Sequence, residues 1–256
     1  MAAGSPRRAN PGSGAATPGN LGSAFDTADG KRRHVARLFA TIANRYDLIT
    51  RVLSYGQDRR WKRRLIDLAA VSATDRVLDV ACGTGDLAFA AADRGARVVG
   101  LDLTPRMLEL ARQRRAGDAA VTFVAGDMAH LPFPPASFTL LTTGYGLRNA
   151  PDLPAAIAEL HRVLAPGGRL CSLDFNRPEA PAIRWLYLSY LTVVGSALGW
   201  LLHRDPDTYR YIPASIRRYP GAGGVARLLE AAGFTRVRVV AVLGGLMTIH
   251  TAERAV

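Results

Sequence analysis

Four short stretches carry residue types that can do chemistry at one place. In VLDVACGTGDLAF (77–89), Gly83 and Gly85 make a turn on which backbone can approach a ligand closely, Asp79 precedes it, and Asp86 opens the following helix. Asp102 closes RVVGLD, where an acidic side chain can accept both hydroxyls of a ribose. VAGDM sets Asp127 where it can meet an adenine amino group, with apolar Met128 beside it. HRVLAPGGRL joins a helix to a strand through Pro166, Gly167 and Gly168. The segment GTGDLA also fits the dinucleotide pattern G-x-G-x-x-G/A, so the turn alone does not choose its ligand. A pyrophosphate wants a free helix N-terminus, and the Asp86 carboxylate would repel it there. Beside a cofactor carrying an ammonium and a sulfonium the same carboxylate is harmless or helpful.

The elements that must position these residues alternate in type. RVLDV, RVVGLD, VTFVAGD, FTLLTTGY and RLCSLDF read as strands, with PRMLELARQRR and LPAAIAELHRVL among the helices between them. RVRVVAVL and LMTIHTAE follow GGVARLLEAAGF and flank Gly244 and Gly245, which predicts an antiparallel hairpin at the end of the sheet. The result is an α/β, doubly wound, Rossmann-like seven-stranded sheet. Residues 31–256 form one domain in this reading, with an N-terminal helical region over 31–70 and a helical lid insertion over 178–220. The Gly- and Pro-rich residues 1–30 have almost nothing apolar to bury and read as a disordered tail.

Composition narrows the partners. The chain of 256 residues has a net charge of +12, but Lys31 and Lys62 are its only lysines, so nearly all of the positive charge is arginine, and an Arg, Ala and Gly excess can also reflect genomic base composition. Nucleic acid is not expected as a partner. Between Lys31 and Arg64 eleven Lys or Arg face only Asp47 and Asp58, and Val35, Leu38, Phe39 and Ile42 fall on one helical face. Cys82 and Cys171 lie in apolar runs without a companion at metal spacing, which indicates neither a disulfide nor a metal. No apolar run follows Arg7 and Arg8, so no export signal is expected and the cytoplasm is the expected compartment. Trp185 to Leu202 carries no formal charge over eighteen residues. Length leaves three readings open for it: a bilayer span, a buried helix, or a lid that dips into a membrane surface.

With the glycine turn, Asp102, Asp127 and the PGG turn in this order, the chain resembles class I S-adenosylmethionine-dependent methyltransferases. The usual first glycine of the turn is Ala81 here, expected to be tolerated because the tighter turn follows at Gly83. These motifs and the charge alone also fit a methyltransferase acting on another small molecule or on RNA. The flanks are more specific. LFATIANRYDLITRVLSYGQDRRWKR (38–63), GYGLRNAPD (144–152), LDFNRP (173–178), DPDTYRYIPASIRRYP (205–220) and GGLMTIH (244–250) are similar to the ubiquinone and menaquinone biosynthesis C-methyltransferase family, and the likeness runs from about residue 34 to the end.

The resemblance implies transfer of a methyl from S-adenosylmethionine to a ring carbon of a polyprenyl quinol such as demethylmenaquinol. It implies cofactor contacts at Asp79, Gly83, Thr84, Gly85, Asp102, Asp127, Met128 and Gly144, the last a departure where a serine is common. Ring methylation needs a phenolate. Arg148 is the expected stabiliser of that phenolate, Asn149 and Tyr46 are expected to position the ring, and His250 is the candidate proton acceptor. A tailed quinol resides in a bilayer, so peripheral contact with an anionic membrane, at the inner face of the cell membrane, is expected of the basic and uncharged segments. A homodimer stays open.

Overall fold

The computed structural model describes residues 27–256 of the chain, so most of the expected tail lies outside the described residues. Its far end does not: Thr27 caps helix α1 (Ala28–Ile42), its hydroxyl accepting the Gly30 N–H at 3.0 Å. The helical region continues as α2 (Tyr46–Leu53) and α3 (Asp58–Ala69).

Then the alternation begins: β1 (Arg76–Val80), α4 (Asp86–Ala92), β2 (Arg97–Asp102), α5 (Pro105–Arg114), β3 (Val121–Ala125), β4 (Phe138–Gly144), α6 (Leu153–Val163) and β5 (Leu164–Phe175). After an insertion come α9 (Gly221–Ala231), β6 (Phe234–Val242) and β7 (Met247–Arg254). The seven strands lie in the order β3-β2-β1-β4-β5-β7-β6, parallel from β3 to β5, with β7 antiparallel to both neighbours. The expected hairpin is therefore present. The chain reverses direction across the sheet between β1 and β4, and ligands of open α/β sheets bind at the carboxyl edge beside that switch.

Strand alternation explains the two helix layers. Leu78, Leu141 and Leu170 face α6 and α9, while Val77, Leu140 and Cys171 face α3 and α4, all essentially fully buried. Each such side chain contributes about 1.5–3 kcal/mol by leaving water. The PGG turn differs from expectation. Pro166, Gly167 and Gly168 lie inside β5 as an irregularity: Leu164 pairs with Phe138 and pairing resumes at Arg169 with Leu140. A proline cannot donate to a ladder, so the strand bulges there instead of turning before it starts.

The insertion is a pair of helices, α7 (Pro181–His203) and α8 (Tyr211–Arg218). Tyr187, Leu188 and Leu191 of α7 pack on Ile216 of α8, and Leu198 and Leu202 pack on the cluster of Ile42, Ile49 and Tyr209. Gly199 has a packing role, since a Cβ there would stand 2.4 Å from the Asp205 carbonyl oxygen as the chain folds back. α7 is long and apolar enough to cross a membrane by length and composition. Within this fold one face of it is covered and the other is open.

Candidate functional site

The carboxyl ends of β1, β2 and β4 frame a cleft whose walls are mostly apolar and whose polar groups include Asp102, Thr104, Asp127 and Asn149; these give it the name polar cleft. Its floor is the β1–α4 turn, where Ala81, Gly83 and Gly85 all take left-handed backbone (φ +54°, +54° and +89°). Ala81 is thus not a harmless replacement sheltered by Gly83; it carries its own Cβ strain in the left-handed region. Asp102 ties the turn to the end of β2, its Oδ2 accepting the Gly83 N–H and its Oδ1 the Thr104 N–H, each at 2.8 Å. Burial pushes the Asp102 carboxyl up, and those two N–H groups partly offset it. Asp127 Oδ1 accepts the Ala129 N–H at 2.9 Å, and Arg32 of α1 reaches its Oδ2 at 3.2 Å.

Gly83, Asp102, Asp127, Met128, Gly144 and Asn149 line this cleft together. A smaller hollow shares Gly83 and Gly144 with it and adds Asp79 and Thr84. Asp79 is almost wholly buried, its Oδ1 accepting from the Thr142 hydroxyl at 2.8 Å while Oδ2 has no partner. Burial lifts its carboxyl to about 7. Thr84 donates its hydroxyl to Asp47 at 3.0 Å and accepts from Arg114 at 3.0 Å. Gly85 lines neither space. Its glycine serves the α4 cap, because a Cβ there would lie 2.7 Å from the Phe89 ring.

The Asp86 carboxylate is not the free charge expected at the turn. Lys62 donates to its Oδ2 at 2.7 Å and Arg114 pairs with Oδ1 at 2.8 Å. Burial pushes its pKa up, but the two cations outweigh that and hold it below the usual range. Lys62 also pairs with Asp58 at 2.7 Å, so the charges form a closed network beside the cleft. Discrimination against a pyrophosphate therefore cannot rest on Asp86 alone.

A second space lies beside the first. Phe39, Tyr46 and Tyr145 line both, and beyond them the walls are apolar and aromatic, with Trp61, Phe175, Tyr187 and Leu191 among them. Arg148 is the one cation lining this cavity among the described residues. It sits on the short helical turn Leu147–Asn149 after β4, and its guanidinium lies 5.0 Å from the Phe175 ring centre. Its backbone N–H donates to Asp174 Oδ2 at 2.9 Å, its Nε stands 3.4 Å from Asp174 Oδ1, and its Nη1 donates to the Ser215 hydroxyl. Lys31 of α1 donates to the Arg148 and Ala150 carbonyls at 3.1 and 2.5 Å, and burial first, then Arg148, pulls its amine down to about 8.

Two expectations for this chemistry change. His250 does not reach either space: its strand parity turns it away from Met247 and Ile249 toward α9, where its Nε2 meets the Ala222 carbonyl at 3.0 Å. Burial lowers its pKa, and it is withdrawn as proton acceptor. Asn149 faces the polar cleft, not the aromatic cavity; its Nδ2 donates to the Tyr145 carbonyl at 2.8 Å and its Oδ1 is buried without a partner. Tyr46 does stand where the two spaces meet, and burial lifts its hydroxyl to about 12.

Sequence reasoning missed Asp174, Ser215 and Tyr145. Asp174 had a signal in LDFNRP, a carboxylate at a strand's carboxyl end. Ser215 had none, since α8 meets the site only through the fold. Tyr145 takes left-handed backbone (φ +62°) and donates its hydroxyl to Asp58 at 2.5 Å. Such strain persists at sites where the surroundings over-determine it.

The polar cleft fits S-adenosylmethionine. Buried oxygens without partners, Asn149 Oδ1 in the cleft and Asp79 Oδ2 in the hollow beside it, suit a donor-bearing ligand. At Gly144 an added Cβ would press on Leu87 Cδ1 at 3.2 Å, so this edge is already close-packed without the serine hydroxyl.

Comparison with known proteins agrees. A family model described as the ubiE/COQ5 methyltransferase family matches residues 27–254. A demethylmenaquinone methyltransferase of Thermus thermophilus is 43% identical over 220 residues, 85% of this chain and 100% of that protein. A ubiquinone/menaquinone biosynthesis C-methyltransferase of Methylobacterium nodulans is 39% identical, covering 92% of this chain and 96% of its own length. Among solved structures, a SAM-dependent methyltransferase of Thermotoga maritima, described as a possible histamine N-methyltransferase, superposes with a TM-score of 0.64 at 18% identity, covering 86% of this chain and 100% of its own. That last likeness speaks for the fold alone.

Proposed function

The chain belongs to the ubiE/COQ5 methyltransferase family, and from that premise we propose that it methylates a ring carbon of a polyprenyl quinol, with demethylmenaquinol as its substrate. It is an S-adenosylmethionine-dependent C-methyltransferase. The observation that carries the substrate reading is the aromatic cavity with a single guanidinium among its lining residues, which shares Phe39, Tyr46 and Tyr145 with the cofactor cleft.

When bound, S-adenosylmethionine supplies an electrophilic methyl on its sulfonium. The chain holds it through Asp102 toward the ribose hydroxyls, Asp127 and Met128 toward the adenine, and Asp79, Gly83 and Thr84 toward the amino-acid end. The aromatic cavity takes the quinol ring. A quinol hydroxyl beside Arg148 gives up its proton more readily because the guanidinium stabilises the phenolate, and the phenolate pushes electron density onto the neighbouring ring carbon; once that carbon carries the methyl, its own hydrogen leaves as a proton and the ring is aromatic again. Asp174, Ser215 and the Phe175 ring fix the guanidinium, so it needs no reorganisation when charge develops.

Among the described residues that line the cavity, none is a carboxylate or an imidazole. Burial lifts the hydroxyls of Tyr46, Tyr190, Tyr209 and Tyr211 to about 12, so these four are no bases near neutrality. We therefore assign the proton to a water admitted with the substrate. Peripheral contact with a bilayer through α7 completes the reading, since a tailed quinol must be drawn from one.

The test is purified protein with methyl-labelled S-adenosylmethionine and reduced demethylmenaquinol in detergent, run beside a benzoquinol analogue. Label should enter the naphthoquinol ring faster. Label in neither quinol, under conditions where the cofactor binds, refutes the substrate class.

A further inference from the structure

A groove at the start of α7 lies outside both spaces described above. Arg177, Arg184 and Arg217 line it together with Trp185 and Leu188, and no carboxylate does. Elsewhere arginines are compensated, as Arg114 is by Asp86 beside the cleft and Arg169 by Asp75 at the far edge of the sheet. The three groove arginines form no ion pair among the described residues. Arg177 Nη1 reaches only the Arg217 carbonyl at 3.3 Å, and Arg184 Nη1 only the Pro178 carbonyl at 3.4 Å. These neutral contacts hold the guanidinium groups without cancelling their charge. Convergent, uncompensated guanidinium groups suit a phosphate, which each can bind through two N–H donors.

What adjoins the groove chooses the source of that phosphate. Around α7, Tyr187 and Leu191 face the aromatic cavity, and Arg184, Trp185 and Leu188 face the groove. Between these two edges lies an open apolar face: Leu186, Val193 and Trp200 recur every seven residues and are 65%, 69% and 64% exposed. Trp185, in the groove wall, is 71% exposed. A site for free phosphate has no use for a protruding indole and an apolar helix face along its rim. A bilayer surface presents both chemistries at once, phosphate at the headgroup level and acyl chains just below, and tryptophan favours the boundary between them.

We propose that the Arg177–Arg184–Arg217 groove binds the phosphate of an anionic phospholipid and sets α7 flat on the membrane with its Leu186–Val193–Trp200 face in the acyl boundary. The aromatic cavity, lined by Tyr187 and Leu191 on the inner edge of the same helix, then lies beside the layer that holds a prenylated quinol. This rests on the membrane contact in the functional reading and adds the residues that make it.

The test is flotation of the full chain with vesicles of phosphatidylcholine alone and of phosphatidylcholine with phosphatidylglycerol. Arg184→Gln/Arg217→Gln should lower partition onto the anionic vesicles roughly thirtyfold, the loss of two charges near the surface, and leave neutral vesicles nearly unaffected. Trp185→Ser/Leu186→Ser should lower binding to both. The control is Arg76→Gln/Arg97→Gln, which removes as much charge where β1 and β2 begin, at the opposite edge of the sheet. Equal loss in control and groove variants would overturn the proposal in favour of diffuse attraction. Calorimetric binding of inorganic phosphate that needs Arg184 and Arg217, without vesicle binding, would overturn it in favour of free phosphate. Melting temperatures matched to the parent exclude misfolding. Turnover of detergent-dispersed demethylmenaquinol should survive in the groove variant; no turnover in the parent chain would fail the functional reading while leaving the flotation result to stand by itself.

Discussion

The polar cleft takes its residues from the ends of neighbouring strands, whereas the aromatic cavity takes its walls from helices far apart in sequence. Asp102 and Gly144 end β2 and β4, and Asp79 stands one residue before the end of β1, so backbone pairing fixes their separation before any side chain packs. The cavity joins α1, α2, α7 and the turn after β4, and only tertiary packing brings Phe39, Tyr187 and Arg148 together. The first is a site for a polar ligand held by individual hydrogen bonds. The second is a site for an apolar ligand held by area, with one charge placed where the reaction needs it. If the two regions divide the work in this way, substitutions should separate binding of the cofactor from turnover of the quinol.

The largest effect is expected at Arg148. Arg148→Ala should lower single-turnover methyl transfer on the order of 10² to 10³, as loss of a preorganised charge-stabilising donor does, with cofactor affinity close to the parent value. Arg148→Lys should recover little, because a lysine cannot keep both the Asp174 and Ser215 contacts. A parallel loss of cofactor affinity would break the division between the regions.

Next is Asp102. Asp102→Ala should weaken S-adenosylmethionine binding by about 1.5–3 kcal/mol, the range for hydrogen bonds to a charged group, as read by calorimetry. At saturating cofactor the turnover rate should change little. The loss has two sources, the ribose contacts and the N–H groups of Gly83 and Thr104 that are left unpaired.

A smaller effect sharpens the comparison through pH. Asp79 lies at about 7 in the free chain, so it is protonated below that value and charged above it. A cationic ligand favours the charged form. Affinity for S-adenosylmethionine should therefore rise with pH, roughly tenfold between about pH 6 and about pH 8, and Asp79→Asn should flatten the profile. Quinol affinity should show no such dependence.

The smallest is at His250. His250→Ala should leave single-turnover transfer within about twofold of the parent, because the imidazole is spent on the Ala222 carbonyl behind the sheet; a 10²-fold loss, typical of a removed general base, would restore it as the acceptor.

The same contrast explains what could be read from the sequence. Strand ends are legible: alternation located β1, β2, β3 and β4, and with them Asp102 and Gly144, whereas Asp127, expected at the end of the third strand, lies two residues beyond β3. The closing hairpin was legible from Gly244 and Gly245. Strand parity was the signal that could have removed His250, since it differs by one from Ile249, which faces the cavity side. Occupancy of side chains was not legible. Nothing in GTGD says that Lys62, twenty-four residues earlier, reaches Asp86, because that contact depends on how α3 docks against α4. For the same reason Ser215 was invisible until α8 was seen to lie over the turn that carries Arg148.

The measurement that bears most directly on the division between cleft and cavity is a crystal structure with S-adenosylhomocysteine bound. The account predicts ribose hydroxyls on Asp102, adenine between Asp127 and Met128, and sulfur facing Tyr46 and Tyr145. Ligand density in the aromatic cavity beside Arg148, with the polar cleft empty, would contradict it.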